Sequence, residues 1–458
     1  MTKITFMGAG STVFAKNVLG DCMLRPSLHD AELALYDIDA ARLKESKTML
    51  DTLNKNINSG RAKITAYLGI PNRKKALKGA NFVVNAIQVG GYEPSTVIDF
   101  EIPKKYGLRQ TIADTLGIGG IFRALRTIPV MLDFGHEMEE VCPDAWLLNY
   151  TNPMAMLTGA MLRGTGVKTV GLCHSVQVCL YSLAMTLGLH KDEVNDGDFT
   201  KMETDLGYRC KIAGINHMAW VLEITRNGKD VYPELRKKGL AFVKKQRALP
   251  RDKKSGNIIR VEMMNKFGYY VTESSEHNAE YAPYWIKSNY PQFIDEFKIP
   301  LDEYPRRCVN QINNWKKQYK EICCNKDLTH KRSHEYGSAI MEAIVSNVPT
   351  QIGGNVLNRG LIPNLPSNAI VEVPCLVDSN GVQGCYVGEL PPQCAALNMT
   401  NINPQLLTIE AALTLKKEHI YHAAMLDPHT AAELSIDDII AMCDDLIEAH
   451  GNMLPKFK

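Results

Sequence analysis

Twelve cysteines are scattered along the chain without a single Cys-x-x-Cys pair, and Cys323 and Cys324 are adjacent. This spacing excludes an ordinary disulfide framework or paired-cysteine module and leads us to expect a reducing, cytoplasmic setting. No apolar run approaches the roughly 20 residues that a membrane helix needs. Charge of one sign is also missing, because 52 lysines and arginines nearly balance 50 aspartates and glutamates. We therefore expect neither nucleic acid nor a membrane as partner, but a small molecule. The opening Met1–Met7 enters a strand pattern without the charged region, apolar run and cleavage site of a signal peptide. Repeats, heptads and low-complexity segments are lacking as well.

A chain of 458 residues can bury a large core and hold two or three structural units. Residues 3–7 alternate like a buried strand, Gly8, Gly10, Ser11 and Thr12 form a turn, and residues 13–23 carry apolar side chains at helical spacing. Strand, glycine turn and helix are the context of a dinucleotide-binding motif, although Val13 stands where the third glycine is expected. Residues 32–36 form a second strand pattern ending at Asp37, whose carboxylate suits adenosine ribose hydroxyls and disfavours the NADP phosphate. Further strand patterns at 81–87, 145–150 and 167–172 lead into Gln88, into Thr151-Asn152-Pro153 and into Cys173-His174. Ligands of open α/β sheets collect at such carboxyl ends.

The expected fold is α/β, a Rossmann-like doubly wound parallel sheet over residues 1–200, with a second, mixed α+β domain over 201–458. Past residue 200 the alternation weakens. Residues 236–239 and 250–256 read as exposed turns, 371–378 as a strand, and 406–419 and 436–449 as amphipathic helices.

Cys173 and His217 are candidate ligands for a divalent ion, since thiolate and neutral imidazole bind such metals well. The competing reading is a buried structural cysteine and a core histidine bonded to a backbone carbonyl. Two protein ligands hold a metal weakly, so substrate oxygens would complete the shell, and manganese is the expected ion. Residues 110–126 join Asp114 to a glycine cluster and to Arg123 and Arg126, able to hold a sugar or carboxylate oxygen. Residues 272–281 pack Glu273, Glu276, His277, Glu280 and Tyr281 among aromatic neighbours, a combination suited to sugar hydroxyls and rings.

On these segments, together with Gly90-Gly-Tyr-Glu-Pro94, Asn149-Tyr-Thr-Asn-Pro-Met154 and Tyr421-His-Ala-Ala-Met-Leu-Asp-Pro-His429, the chain resembles family 4 glycoside hydrolases over essentially its whole length. The Cys173-His-Ser-Val176 element is similar to that of the family's α-galactosidase group. The resemblance implies a lactate-dehydrogenase-like first domain, NAD, a divalent metal taken as manganese, a cytoplasmic homodimer or homotetramer, and an α-galactoside substrate. It implies Cys173 and His217 as metal ligands, Asn152 as a substrate contact and Asp114 as a carboxylate near the base. His174 is the candidate acid. The base is open between Tyr281, Glu276 and His277, because the local tyrosine motif of several relatives is missing. We lean to Tyr281, expecting Asp114 and a metal to depress its phenol. Such a site oxidises the sugar at C3, removes the C2 proton, expels the glycosidic oxygen, adds water at C1 and returns the hydride, leaving NAD unchanged.

The rivals are a related α-glucosidase or α-galacturonidase, a hydroxy-acid dehydrogenase, and a nicotinamide-sensing binding protein. A dehydrogenase needs an arginine clamp and a histidine–carboxylate pair and consumes NAD stoichiometrically. A sensing protein needs no metal.

Overall fold

The computed structural model describes residues 1–189 and 206–458. Six strands, β1 (Lys3–Met7), β2 (Glu32–Asp37), β3 (Lys63–Leu68), β4 (Phe82–Asn85), β5 (Trp146–Asn149) and β6 (Lys168–Gly171), pair in parallel in the order β6-β5-β4-β1-β2-β3. Buried runs such as Phe82-Val-Val-Asn85 explain that arrangement, since parallel strands covered by helices on both faces are apolar on both sides. The order turns back at β1, which places the Gly8–Thr12 turn in the crevice between β4 and β2. Helix α1 (Thr12–Met23) follows that turn, and α2 (Ala40–Asn58) follows β2, capped by the Asp39 side chain.

The second half extends the same sheet rather than building a separate one. Strands β7 (Tyr208–Ile215), β8 (Met218–Arg226), β9 (Lys229–Asp230), β10 (Tyr270–Val271), β11 (Thr350–Leu357), β12 (Ile370–Asp378) and β13 (Gly381–Gly384) join it with antiparallel pairing through β11 beside β6. The sheet holds 13 strands among the described residues, parallel on one side and antiparallel on the other. The domain boundary expected at residue 200 lies outside the described residues.

Two local expectations are corrected. Residues 236–239 lie inside the helix Tyr232–Arg247, because Leu235, Gly239 and Val243 bury one face while the lysines face solvent. The helix expected at 406–419 begins earlier, at Pro392, and ends at Thr414, where Leu415 adopts a left-handed conformation; a second helix, Glu418–Leu426, then starts. Proline at the first helical position starts the longer helix without loss of a hydrogen bond. Val13 is 37% exposed, so its side chain does not disturb the contact between α1 and the sheet. Among the described residues no helix is long and apolar enough to cross a membrane.

Candidate active site

The dinucleotide turn is shaped for close approach. Gly8 has φ +86°, and a Cβ there would fall 2.6 Å from the Ala86 carbonyl oxygen, so only glycine fits. Gly10 N–H donates to Asp37 Oδ2 at 2.6 Å, and Asp39 N–H donates to Asp37 Oδ1 at 2.9 Å. Asp37 is thereby fixed at the end of β2, each oxygen keeping acceptor capacity for a ribose hydroxyl. Ser11 is exposed and makes no cap hydrogen bond, leaving the first amides of α1 open to an anion. The Thr12 side chain is turned inward, its hydroxyl 2.9 Å from Ser46 Oγ, so only its backbone faces the crevice. Gln88 is exposed beyond the end of β4.

Three segments meet at the junction of the two sheet halves. Cys173 follows β6. His217 sits at the tip of the two-residue turn between β7 and β8, with φ +65°. Glu273 follows β10, whose pairing with β8 carries it beside that turn, and it also has a positive φ, +68°. Such backbone conformations are costly for residues other than glycine and persist where the surroundings over-determine them. One ligand atom from each of the three residues lies within 4.8 Å of the others, with His217 Nε2 3.7 Å from Glu273 Oε2. Donors on a single ion, roughly 2.0–2.3 Å from it, stand no more than about 4.6 Å apart. The triangle therefore fits a divalent ion after a small contraction. Burial first, then the charges of Glu372 and Glu273, keeps the Cys173 thiol well above its ordinary pKa, a balance that a bound cation would reverse.

The candidate proton-transfer groups surround this triangle. His217 Nδ1 lies 3.1 Å from the Tyr281 hydroxyl. His277 lies between two carboxylates, its Nδ1 hydrogen-bonded to the Ser274 hydroxyl at 2.8 Å and 3.4 Å from Glu273, its Nε2 3.5 Å from Asp114. Burial works against ionising Asp114, but the facing His277 imidazole and the nearby Arg123 guanidinium hold its carboxyl well below the usual range. Tyr281 is fully buried, and burial together with the Asp114, Glu280 and Glu273 carboxylates pushes its phenol well above its ordinary value. This corrects the expected influence of Asp114, since a negative neighbour opposes phenolate and only a cation or hydrogen-bond donor favours it.

Glu276 is not brought to the triangle. Its Oε1 faces Arg307 Nη2 at 3.5 Å, on another side of the helix Ser275–Glu280. Glu280 instead anchors the neighbouring segment, accepting from the backbone N–H groups of Thr111 and Ala113 at 2.8 Å. His174 Nε2 is 2.8 Å from Glu335 Oε2. Burial disfavours its charged form, yet the Glu335 hydrogen bond and charge outweigh it and raise the imidazole above its ordinary pKa. The Asn152 side-chain oxygen is buried without a hydrogen-bond partner, and Arg123 Nε donates to the Asn152 carbonyl at 3.2 Å.

Sequence reasoning missed three contributors. Glu273 lies just before the helix Ser275–Glu280 in a left-handed conformation, so helical spacing does not place it and no local signal marks it as a ligand. Glu335 and Tyr336, which buttress His174 and Cys173, lie about 160 residues away and carry no motif; the Cys173 N–H donates to the Tyr336 hydroxyl at 2.7 Å.

Residues 3–189 match the family 4 glycosyl hydrolase profile, and residues 212–430 match the family 4 glycosyl hydrolase C-terminal domain. An alpha-galactosidase of Bacillus subtilis (strain 168) is 61% identical over 459 residues, covering 100% of both chains. An alpha-galactosidase of Rhizobium meliloti (strain 1021) is 34% identical, covering 99% of this chain and 89% of the relative. A 6-phospho-alpha-glucosidase from gut microorganisms, solved in complex with NAD and Mn2+, shares the fold with a TM-score of 0.78 over 100% of both chains at 20% identity. Both halves thus match along their length, and the chain belongs to family 4 of the glycosyl hydrolases.

Proposed function

We propose that this enzyme is an α-galactosidase that hydrolyses terminal α-D-galactosides such as melibiose and uses NAD and a divalent ion, manganese, as cofactors. The observation that carries the reading is the Cys173–His217–Glu273 triangle set against Tyr281, His277 and Asp114 at the carboxyl end of a dinucleotide sheet. The full-length likeness to proteins named alpha-galactosidase supports the choice of sugar. When bound, NAD supplies a reversible hydride acceptor and the ion supplies Lewis acidity at neighbouring sugar oxygens.

The side chains divide the proton work. With its Nε2 turned to the triangle, His217 donates Nδ1–H toward the Tyr281 oxygen and favours the phenolate that removes the proton at sugar C2. Asp114 and Glu273 hold His277 between them and fix the charge around that base. His174, whose charged form Glu335 favours, gives its proton to the departing glycosidic oxygen and then accepts one from the water that adds at C1. Asn152 Oδ1 accepts from a sugar hydroxyl, which pairs an otherwise unsatisfied buried oxygen. Residues 1–200 serve as the NAD-binding domain and 201–458 as the substrate, metal and oligomerisation domain of a cytoplasmic homodimer or homotetramer.

The test is a panel of nitrophenyl α-glycosides assayed with and without NAD and manganese. Nitrophenol released from the α-galactoside only when both are present, with no NADH accumulating, supports the reading. Stoichiometric NADH, or full activity after chelation and cofactor removal, overturns it.

A further inference from the structure

The helix Glu303–Ile322 is 20 residues long, about 30 Å, yet only Glu303 is buried. Its apolar residues are nevertheless ordered. Tyr304, Cys308, Ile312, Trp315, Tyr319 and Ile322 recur at spacings of three and four, forming one stripe. Five of these are partly buried, but Ile312, in the middle of the stripe, is 56% exposed. The stripe is thus partly covered on both sides of Ile312 and open at it.

Topology says what lies between the helix's two ends. At its start, Tyr304 reaches Arg123 with its hydroxyl 3.2 Å from Nη1, and the helix packs on the Gly91–Thr96 turn that follows β4. At its far end, Tyr319 and Cys323 lie near Glu45 of α2, and Asn56 of α2 donates to the Lys326 and Leu328 carbonyls at 2.8 and 3.0 Å. The first support belongs to the loop after β4 and the second to the helix after β2. Strand β1 lies between β4 and β2, so the two supports flank the strand that carries the Gly8–Thr12 turn.

We propose that the helix Glu303–Ile322 is the outer wall of the dinucleotide site, with Ile312 and Trp315 covering bound NAD. The proposal rests on the reading of this enzyme as a dinucleotide binder. An amphipathic stripe interrupted by one exposed residue is explained if an apolar ring face of the cofactor completes it, since a solvent-exposed isoleucine in a packed stripe otherwise gains nothing from its position.

The test uses the full chain, with NADH as probe. Tryptophan fluorescence and NADH titrations are compared for wild type, Ile312→Asn and Trp315→Phe, with native mass measured in parallel. We expect Ile312→Asn to weaken NADH binding by about tenfold, the effect of losing one buried apolar contact. Trp315→Phe should remove most of the energy transfer from protein to NADH, and hydrogen exchange over 308–319 should slow when NAD is added. Equal NADH affinity in Ile312→Asn and wild type overturns the proposal alone. So does an Ile312→Asn variant that changes native mass without changing affinity, which would make the stripe a surface between copies. Wild type that binds no NADH overturns the dinucleotide reading, and this inference with it.

Discussion

His217 Nδ1 lies 3.1 Å from the Tyr281 hydroxyl, joining a candidate metal ligand directly to a candidate base. A histidine that binds an ion through one nitrogen donates through the other, so occupancy of the triangle and ionisation of the phenol are linked. Tyr281→Phe should abolish deuterium incorporation at C2 of galactose released in heavy water, a loss on the order of 100-fold or more. Glu276→Gln should keep it, because that carboxylate faces Arg307. NMR of the product decides; deuterium retained in Tyr281→Phe removes the phenol from the reaction.

Loss of a ligand is a separate matter from loss of the base. Cys173→Ser should lower activity by on the order of 100-fold and weaken manganese binding, because a hydroxyl does not replace a thiolate donor. Binding can be followed by the electron paramagnetic resonance of free manganese. Unchanged affinity would leave Cys173 a packing residue.

The His174–Glu335 pair sets a pH limit. Its raised pKa keeps the imidazolium available at higher pH than an ordinary histidine, and Glu335 is the cause that outweighs burial. In Glu335→Gln burial is opposed only by the charge of Glu273, so the alkaline limb of the kcat/KM profile should move to lower pH. A limb that stays in place would exclude His174 as the acid.

Asp37 predicts cofactor choice. Its carboxylate is fixed by the Gly10 and Asp39 amides and would meet a 2′-phosphate with like charge, while Arg42, 3.8 Å from Asp39 Oδ2, is mostly exposed. NAD should bind more tightly than NADP in direct titrations, and Asp37→Asn should narrow the difference.

Glu372 gives a stability test. Burial raises its carboxyl to about 7, above the ordinary 4.5. The protonated form is therefore the one the fold favours, so this contribution is complete below about pH 4.5 and is lost as pH rises through 7. The full swing is on the order of 3 kcal/mol. Glu372→Gln cannot ionise, and in urea titrations its stability relative to wild type should improve from pH 5 to pH 7 and then level off.

Much of this architecture could be read from residues alone. The strand at Lys3–Met7, the turn at Gly8 and the carboxylate at Asp37 are neighbours in sequence or one βαβ unit apart, and local patterns fix them. Cys173 and His217 were legible as donors because each ends a strand in a polar motif. The left-handed backbone that aims Glu273 at them comes from its tertiary setting, as does the partnership of His174 with Glu335. The helix at 236–239 was obscured by surface lysines, which dominate its composition while Leu235 and Val243 do the packing.

The sheet's two halves touch sparingly. β6 and β11 register through one residue pair, Gly171 with Asn355. A side chain also crosses the seam, Asn355 Nδ2 donating to the Gly171 carbonyl at 3.4 Å, and Glu372 braces it from behind, accepting from Asn355 Nδ2 at 2.9 Å and from Asn216 Nδ2 at 3.3 Å. In terms of folding cooperativity, this is where a partly opened molecule would part, and the Cys173–His217–Glu273 triangle sits across it. An ion seated there would act as a rivet through both halves. The amides bordering the seam should then gain more protection from solvent exchange on metal binding than those of β2 or β3, which pair along their whole length.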